Sequence, residues 1–113
     1  MPRAIWNRNN PERLLYTPRF KVGDCIAWYD TDNKLRDGII AYVAMADTVV
    51  PKHYLRQPGS HFKSRKATFG RYIVDCGPKK FTFPRGETGY AVEYRAVSFG
   101  NDTVRLFDPY DDV

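Results

Sequence analysis

No stretch of this chain approaches the roughly 18 consecutive apolar residues of a membrane-spanning helix, so no membrane partner is expected. Residues 1–10 hold Arg3 and Arg8 with no apolar run after them, so no secretory leader is expected. Cysteine is scarce: Cys25 and Cys76 stand alone and far apart, too few for the disulfide framework of a small secreted domain. Two reduced thiols are the expectation, with a bridge open only if their strands are neighbours. The expected location is the cytoplasm, or the inside of a host cell if the source is viral.

Recognisable chemistry is also missing. His53 and His61 are eight residues apart and neither cysteine has a CxxC partner, so no zinc template is met and no metal or cofactor is expected. The paired acids Asp30/Asp32 and Asp111/Asp112 fall in a turn and a tail, where water solvates them. No Ser/His/Asp unit, phosphate-binding glycine loop or Cys–His pair stands out, and Gly86-Glu87-Thr88-Gly89 reads as a hairpin turn. The chain is expected not to be an enzyme.

One absence is local. From Lys52 to Val74 there are six basic residues and no acid, whereas residues 1–51 carry a net +1 and residues 75–113 a net −2. The whole +5 excess therefore belongs to one segment, which is a statement about partners rather than about fold.

What is abundant is aromatic and β-branched side chain, with aromatics at 15%, the composition that suits a pleated, half-buried surface. The 113 residues make one domain. Residues 1–19, rich in Asn, Pro and Arg, read as an arm whose Leu14, Leu15 and Tyr16 form an apolar tab. Strands are expected over 20–29, 35–46, around 48–50, over 67–76 where Gly77-Pro78 ends it, at 81–83, over 90–99 and over 103–107. Tyr90, Val92, Tyr94 and Ala96 are expected inward, with Glu93 and Arg95 outward. The second strand is apolar on both faces, Ile39, Ala41, Val43 and Met45 on one, Ile40, Tyr42 and Ala44 on the other. Such a strand needs cover on both sides, from the arm, an adjacent loop or a partner. Turn signals about every ten residues predict an all-β, five- to six-stranded small barrel spanning 20–107, with a basic inter-strand insertion at about 52–66 and an acidic tail at 108–113.

The run Phe20-Lys21-Val22-Gly23-Asp24-Cys25-Ile26-Ala27-Trp28-Tyr29, a polar turn, then Asp37-Gly38-Ile39-Ile40-Ala41-Tyr42-Val43 resembles the opening hairpin of SH3-like small barrels of the Tudor and KOW type. That resemblance covers residues 20–45. It implies an SH3-like barrel and, as in Tudor-like domains, an aromatic cage for methylated lysine or arginine, here drawn from Trp28, Tyr29 and Tyr42 through cation–π attraction. The competing reading of Trp28 and Tyr42 is plain core.

The basic segment carries the leading functional expectation. Lys52, Arg56, Lys63, Arg65, Lys66 and Arg71 are interleaved with Tyr54, Phe62, Phe69, His53 and His61. Cations neutralise phosphates and aromatic faces stack on bases, the combination used to hold single-stranded nucleic acid. A solvated loop with Phe62 and Phe69 in the core, or an acidic protein partner, are the alternatives. The arm adds Trp6, Arg8, Arg13 and Leu14 as candidate partner contacts. The expected function is thus a non-catalytic adaptor for RNA, DNA or a nucleoprotein surface. The alternatives are a protein–protein module (an assembly subunit or phage-type inhibitor) using the arm and the second strand, and a methyl-lysine or methyl-arginine reader.

Overall fold

Cross-strand pairing along the aromatic and β-branched runs builds one antiparallel sheet. The computed structural model describes residues 16–108, so Trp6, Arg8, Arg13 and Leu14, and all of the acidic tail beyond Asp108, lie outside the described residues. The strands are β1 (Cys25–Tyr29), β2 (Leu35–Ala44), β3 (Arg71–Thr82), β4 (Thr88–Ser98) and β5 (Arg105–Leu106). They meander in the order β4-β3-β2-β1-β5, with β5 returning beside β1. The protein is all-β, as expected, but the sheet is open: β4 and β5 are its two edges.

Local chemistry explains the turns. Lys21 to Gly23, expected inside the first strand, instead form a turn that the Asp24 carboxylate closes by accepting the Lys21 N–H at 3.0 Å. Between β1 and β2 the Asp30 carboxylate accepts the N–H groups of Asp32 and Lys34, at 2.9 and 3.0 Å, and Asn33 takes the left-handed conformation, the Asx behaviour its sequence predicts.

Two bulges decide which side chains go where. In β2, Ile40 pairs with Val74 while Tyr42 pairs with Ile73, leaving Ala41 as an extra residue. A bulge reverses the parity of alternation. Ile40 and Tyr42, expected on one face, therefore enter different clusters. The second bulge lies in β3 between Asp75 and Pro78, where Gly77 sits at φ 92° and donates its N–H to the Asp75 carboxylate at 2.8 Å. Gly77-Pro78 was expected to end this strand, and it does not. β2 pairs with β3 only as far as Asp75, so the N–H that Pro78 lacks is needed by no neighbour and β3 runs on with β4 to Thr82. The segments expected as separate strands at 67–76 and 81–83 are one strand.

The sheet carries apolar side chains on both faces. Ile26, Trp28, Ile40, Tyr72, Val74, Val97, Phe99 and Val104 form the larger cluster. On the other side Ala44, Val50 and Ile73 pack with Tyr42, Tyr54, Leu55, Phe62, Tyr94 and Ala96. The cover that a doubly apolar β2 demands is thus supplied by the adjacent loop, whose Val50, Tyr54, Leu55 and Phe62 lie over the second face. At the end of the arm, Arg19 is tied down by its N–H to the Tyr72 hydroxyl (2.7 Å) and its guanidinium to the Asn101 carbonyl (2.9 Å). The Tyr72 ring itself is fully buried.

Candidate functional site

The basic segment leaves β2, makes a single 3-10 turn at Lys52–Tyr54, and crosses the sheet before entering β3. Its backbone is stitched at both ends. Asp47 donates to the Ala67 carbonyl at 2.8 Å and Val50 to the Arg65 carbonyl at 2.7 Å, around an isolated Val49–Lys66 bridge. The short strand expected near 48–50 reduces to this bridge. Midway, the His61 N–H donates to the Tyr94 carbonyl at 2.8 Å, so the segment folds against the outer edge of β4. Gly59 makes that approach feasible, since a Cβ there would stand 2.7 Å from the Val92 carbonyl oxygen.

Anchoring divides the residues expected to bind. Tyr54 and Phe62 face the second cluster, Tyr54 edge-on to Tyr94 with centroids 5.0 Å apart, so neither presents a free face for base stacking. Arg71 is 8% exposed, stacks 5.2 Å from the centroid of Phe62, and donates from its guanidinium to the Ser64 carbonyl. It is an internal clamp of the loop, and burial holds its pKa below the usual guanidinium value. Lys52, Arg56, Lys63, Arg65 and Lys66 are all exposed. Among the described residues no carboxylate forms an ion pair with any of these five. Exposed aromatic surface nearby comes from His53, stacked 4.0 Å from Tyr54, and from Phe69, edge-on to Tyr16 at 5.7 Å.

The three aromatics of the expected methyl-lysine cage do not converge. Trp28 is 2% exposed in the larger cluster, Tyr42 belongs to the cluster on the opposite face, and Tyr29 is exposed at the end of β1. Burial in two separate cores removes the open three-walled box that a methylammonium needs.

His61 points into a charge cluster that the sequence reading placed outside. Glu93 is 4% exposed, not outward-facing, and its carboxylate accepts from Arg95 Nε at 2.6 Å while His61 Nε2 stands at 3.1 Å and Lys79 Nζ at 3.6 Å. Strict alternation from Tyr90 assigned Glu93 to water; with both faces of the sheet covered, each parity is an inside. The same-face pair Glu93 and Arg95 was the one sign of it in the sequence.

Two further groups bear on catalysis. Asp30 is held down at a pKa of about 2, chiefly by its hydrogen bond to Arg36 and then by the Lys34 N–H, so it stays a fixed anion. The Cys76 thiol is pushed up to about 12 by burial and by the charge of Glu93, far from the thiolate a nucleophile requires. Cys25 and Cys76 are both free thiols. Among the described residues no group of three or more His, Cys, Asp or Glu is placed to hold a metal ion. No family model, no curated protein and no solved structure matches this chain.

Proposed function

We propose that the chain is a non-catalytic binding module that contacts nucleic acid or a nucleoprotein surface through the exposed cations of residues 52–66. One observation carries this reading: Lys52, Arg56, Lys63, Arg65 and Lys66 stand exposed and, among the described residues, without carboxylate partners on a loop anchored at its base by Tyr54, Leu55 and Phe62. Cations held in place but not neutralised release condensed counterions when they meet phosphates. A solvated loop with no role does not need Arg71 and a buried Glu93 to fix it. The meander with its last strand beside the first supports an opened relative of the SH3-like barrel as the scaffold. The fixed charge state of Asp30 and the unreactive thiol of Cys76 support a binding role over a catalytic one.

The alternative of an apolar protein interface on β2 has less to stand on. Ile40 and Val43 pack in one cluster and Tyr42 and Ala44 in the other, leaving Leu35, Ile39 and, just past β2, Met45 as exposed large apolar groups that form no continuous run.

The test is a Lys63→Glu/Arg65→Glu/Lys66→Glu variant titrated with labelled DNA and RNA over a salt series. The expected result is a loss of affinity and a fall in the log–log salt slope of about 3, close to one per cation removed. Affinity and slope equal to wild type would overturn the reading.

A further inference from the structure

Beyond the bulge at Gly77, β3 and β4 leave the rest of the sheet as a two-stranded ribbon. β2 pairs with β3 no further than Asp75, while β3 and β4 stay paired from Pro78–Val92 through Lys79–Ala91, Lys80–Tyr90 and Phe81–Gly89 to Thr82–Thr88. The tip is a tight turn in which Phe83 donates to the Glu87 carbonyl at 2.7 Å. From Pro78 to Phe83 the ribbon extends about 17 Å at the usual strand rise.

Its two faces differ. One holds Phe81 and Gly89: the Phe83 ring folds under Gly89, and the Phe81 ring meets Gly59 of the basic loop. The other face has cross-strand pairs Lys80–Tyr90 and Thr82–Thr88, all exposed, with Tyr90 at 74%. Arg85 is exposed at the tip beside the lone acid Glu87. Lys79 leans back toward Glu93, so Lys80 and Arg85 are the uncommitted cations among the described residues of the ribbon.

We infer that this ribbon enters the major groove of duplex DNA, with Lys80, Thr82, Thr88, Tyr90 and Arg85 as the contacting residues. The inference rests on the proposed nucleic-acid role of the 52–66 loop and names its substrate. Three arguments carry it. A two-stranded ribbon fits a groove about 12 Å wide and 8.5 Å deep, and this one continues for five paired positions past the point where β2 stops. Lys80, Thr82, Thr88 and the Tyr90 hydroxyl give its exposed face donors and acceptors for base edges and phosphates, with the Tyr90 ring also open to solvent. Its covered face packs on the basic loop at Gly59, which ties the ribbon to the loop that carries Lys52, Arg56 and Lys63. The deep, narrow major groove of A-form RNA does not admit side chains in this way, which selects B-form DNA.

The test measures anisotropy with a 20-base-pair DNA duplex, one of its single strands, and duplex RNA of the same sequence. The variant is Lys80→Ala/Arg85→Ala/Tyr90→Ala, all on exposed positions, its fold checked by circular dichroism. Wild type is expected to prefer the DNA duplex and to be displaced by methyl green, a major-groove ligand, and not by netropsin, a minor-groove one. The variant is expected to lose about tenfold or more on the duplex and to lower the salt slope by about 2, with single-strand affinity unchanged. Duplex affinity within twofold of wild type, or wild-type preference for single strands or duplex RNA, would overturn the ribbon inference. If the 52–66 charge-reversal variant loses binding in those same assays, the loop reading stands without it. If wild type binds none of the three probes, both readings fall.

Discussion

His61 and Glu93 meet across the outer edge of β4, imidazole Nε2 to carboxylate oxygen at 3.1 Å, and this contact joins the basic loop to the interior of the sheet. The same histidine holds the Tyr94 carbonyl through its backbone N–H. Glu93 therefore serves as a latch for a segment whose exposed residues are all neutral or positive. A buried carboxylate is costly alone and stable only with its partners in place.

Removing that carboxylate tests the latch. Glu93→Gln leaves Arg95 without its charged acceptor in a poorly solvated position, and the domain is expected to lose about 2 kcal/mol. Urea unfolding gives the loss as a lower midpoint, and hydrogen exchange should show the His61 amide opening faster. His61→Ala removes a partner that is half in water, and its cost is expected to stay under about 1 kcal/mol.

Arg71 separates structural from binding cations. Its guanidinium lies on Phe62 and donates to the Ser64 carbonyl, with little contact with solvent. Arg71→Ala is expected to destabilise the domain by about 2 kcal/mol, through the lost hydrogen bond, stacking and packing. The salt slope of nucleic-acid binding should be that of wild type at temperatures where the variant is folded. A slope lowered by one would place Arg71 at the phosphates after all.

Asp30 sets an acid limit. Its folded pKa of about 2 lies below the 3.8 of a solvated aspartate. A depressed carboxylate pKa contributes stability that is fully present above the unfolded value and is lost as pH falls through the folded one. The stability gap between wild type and Asp30→Asn should therefore be constant from neutral pH down to about 5, then close between about 5 and 2. Melting temperatures of the two proteins across that range measure it.

The fold class was legible because alternation and turn chemistry act over a few residues. The Asp30–Asn33 turn, most of the strand expected over 35–46 and the strand beginning near Tyr90 follow from Asx geometry, β-branched runs and glycine placement, whereas the pairing of β5 with β1 and not with β4 does not. The demand that both faces of β2 be covered was legible too. The ribbon was not, because Pro78 forbids a strand only where a neighbour needs its N–H, and whether β2 continues alongside is a tertiary fact. The inward burial of Glu93 was hidden for a related reason: a period of two says which residues share a face, and not which faces meet water.

By itself the sequence determined an all-β domain whose excess charge lies within 52–74, since composition and local spacing need no partner to be read. The tertiary structure decided which of those cations are exposed. Arg71 is consumed by Phe62 and Ser64, and His61 by Glu93, whereas Lys52, Arg56, Lys63, Arg65 and Lys66 remain exposed. That division depends on how one loop docks over a sheet face and around its edge. Contacts between residues distant in the chain set it, and no window along the chain contains them.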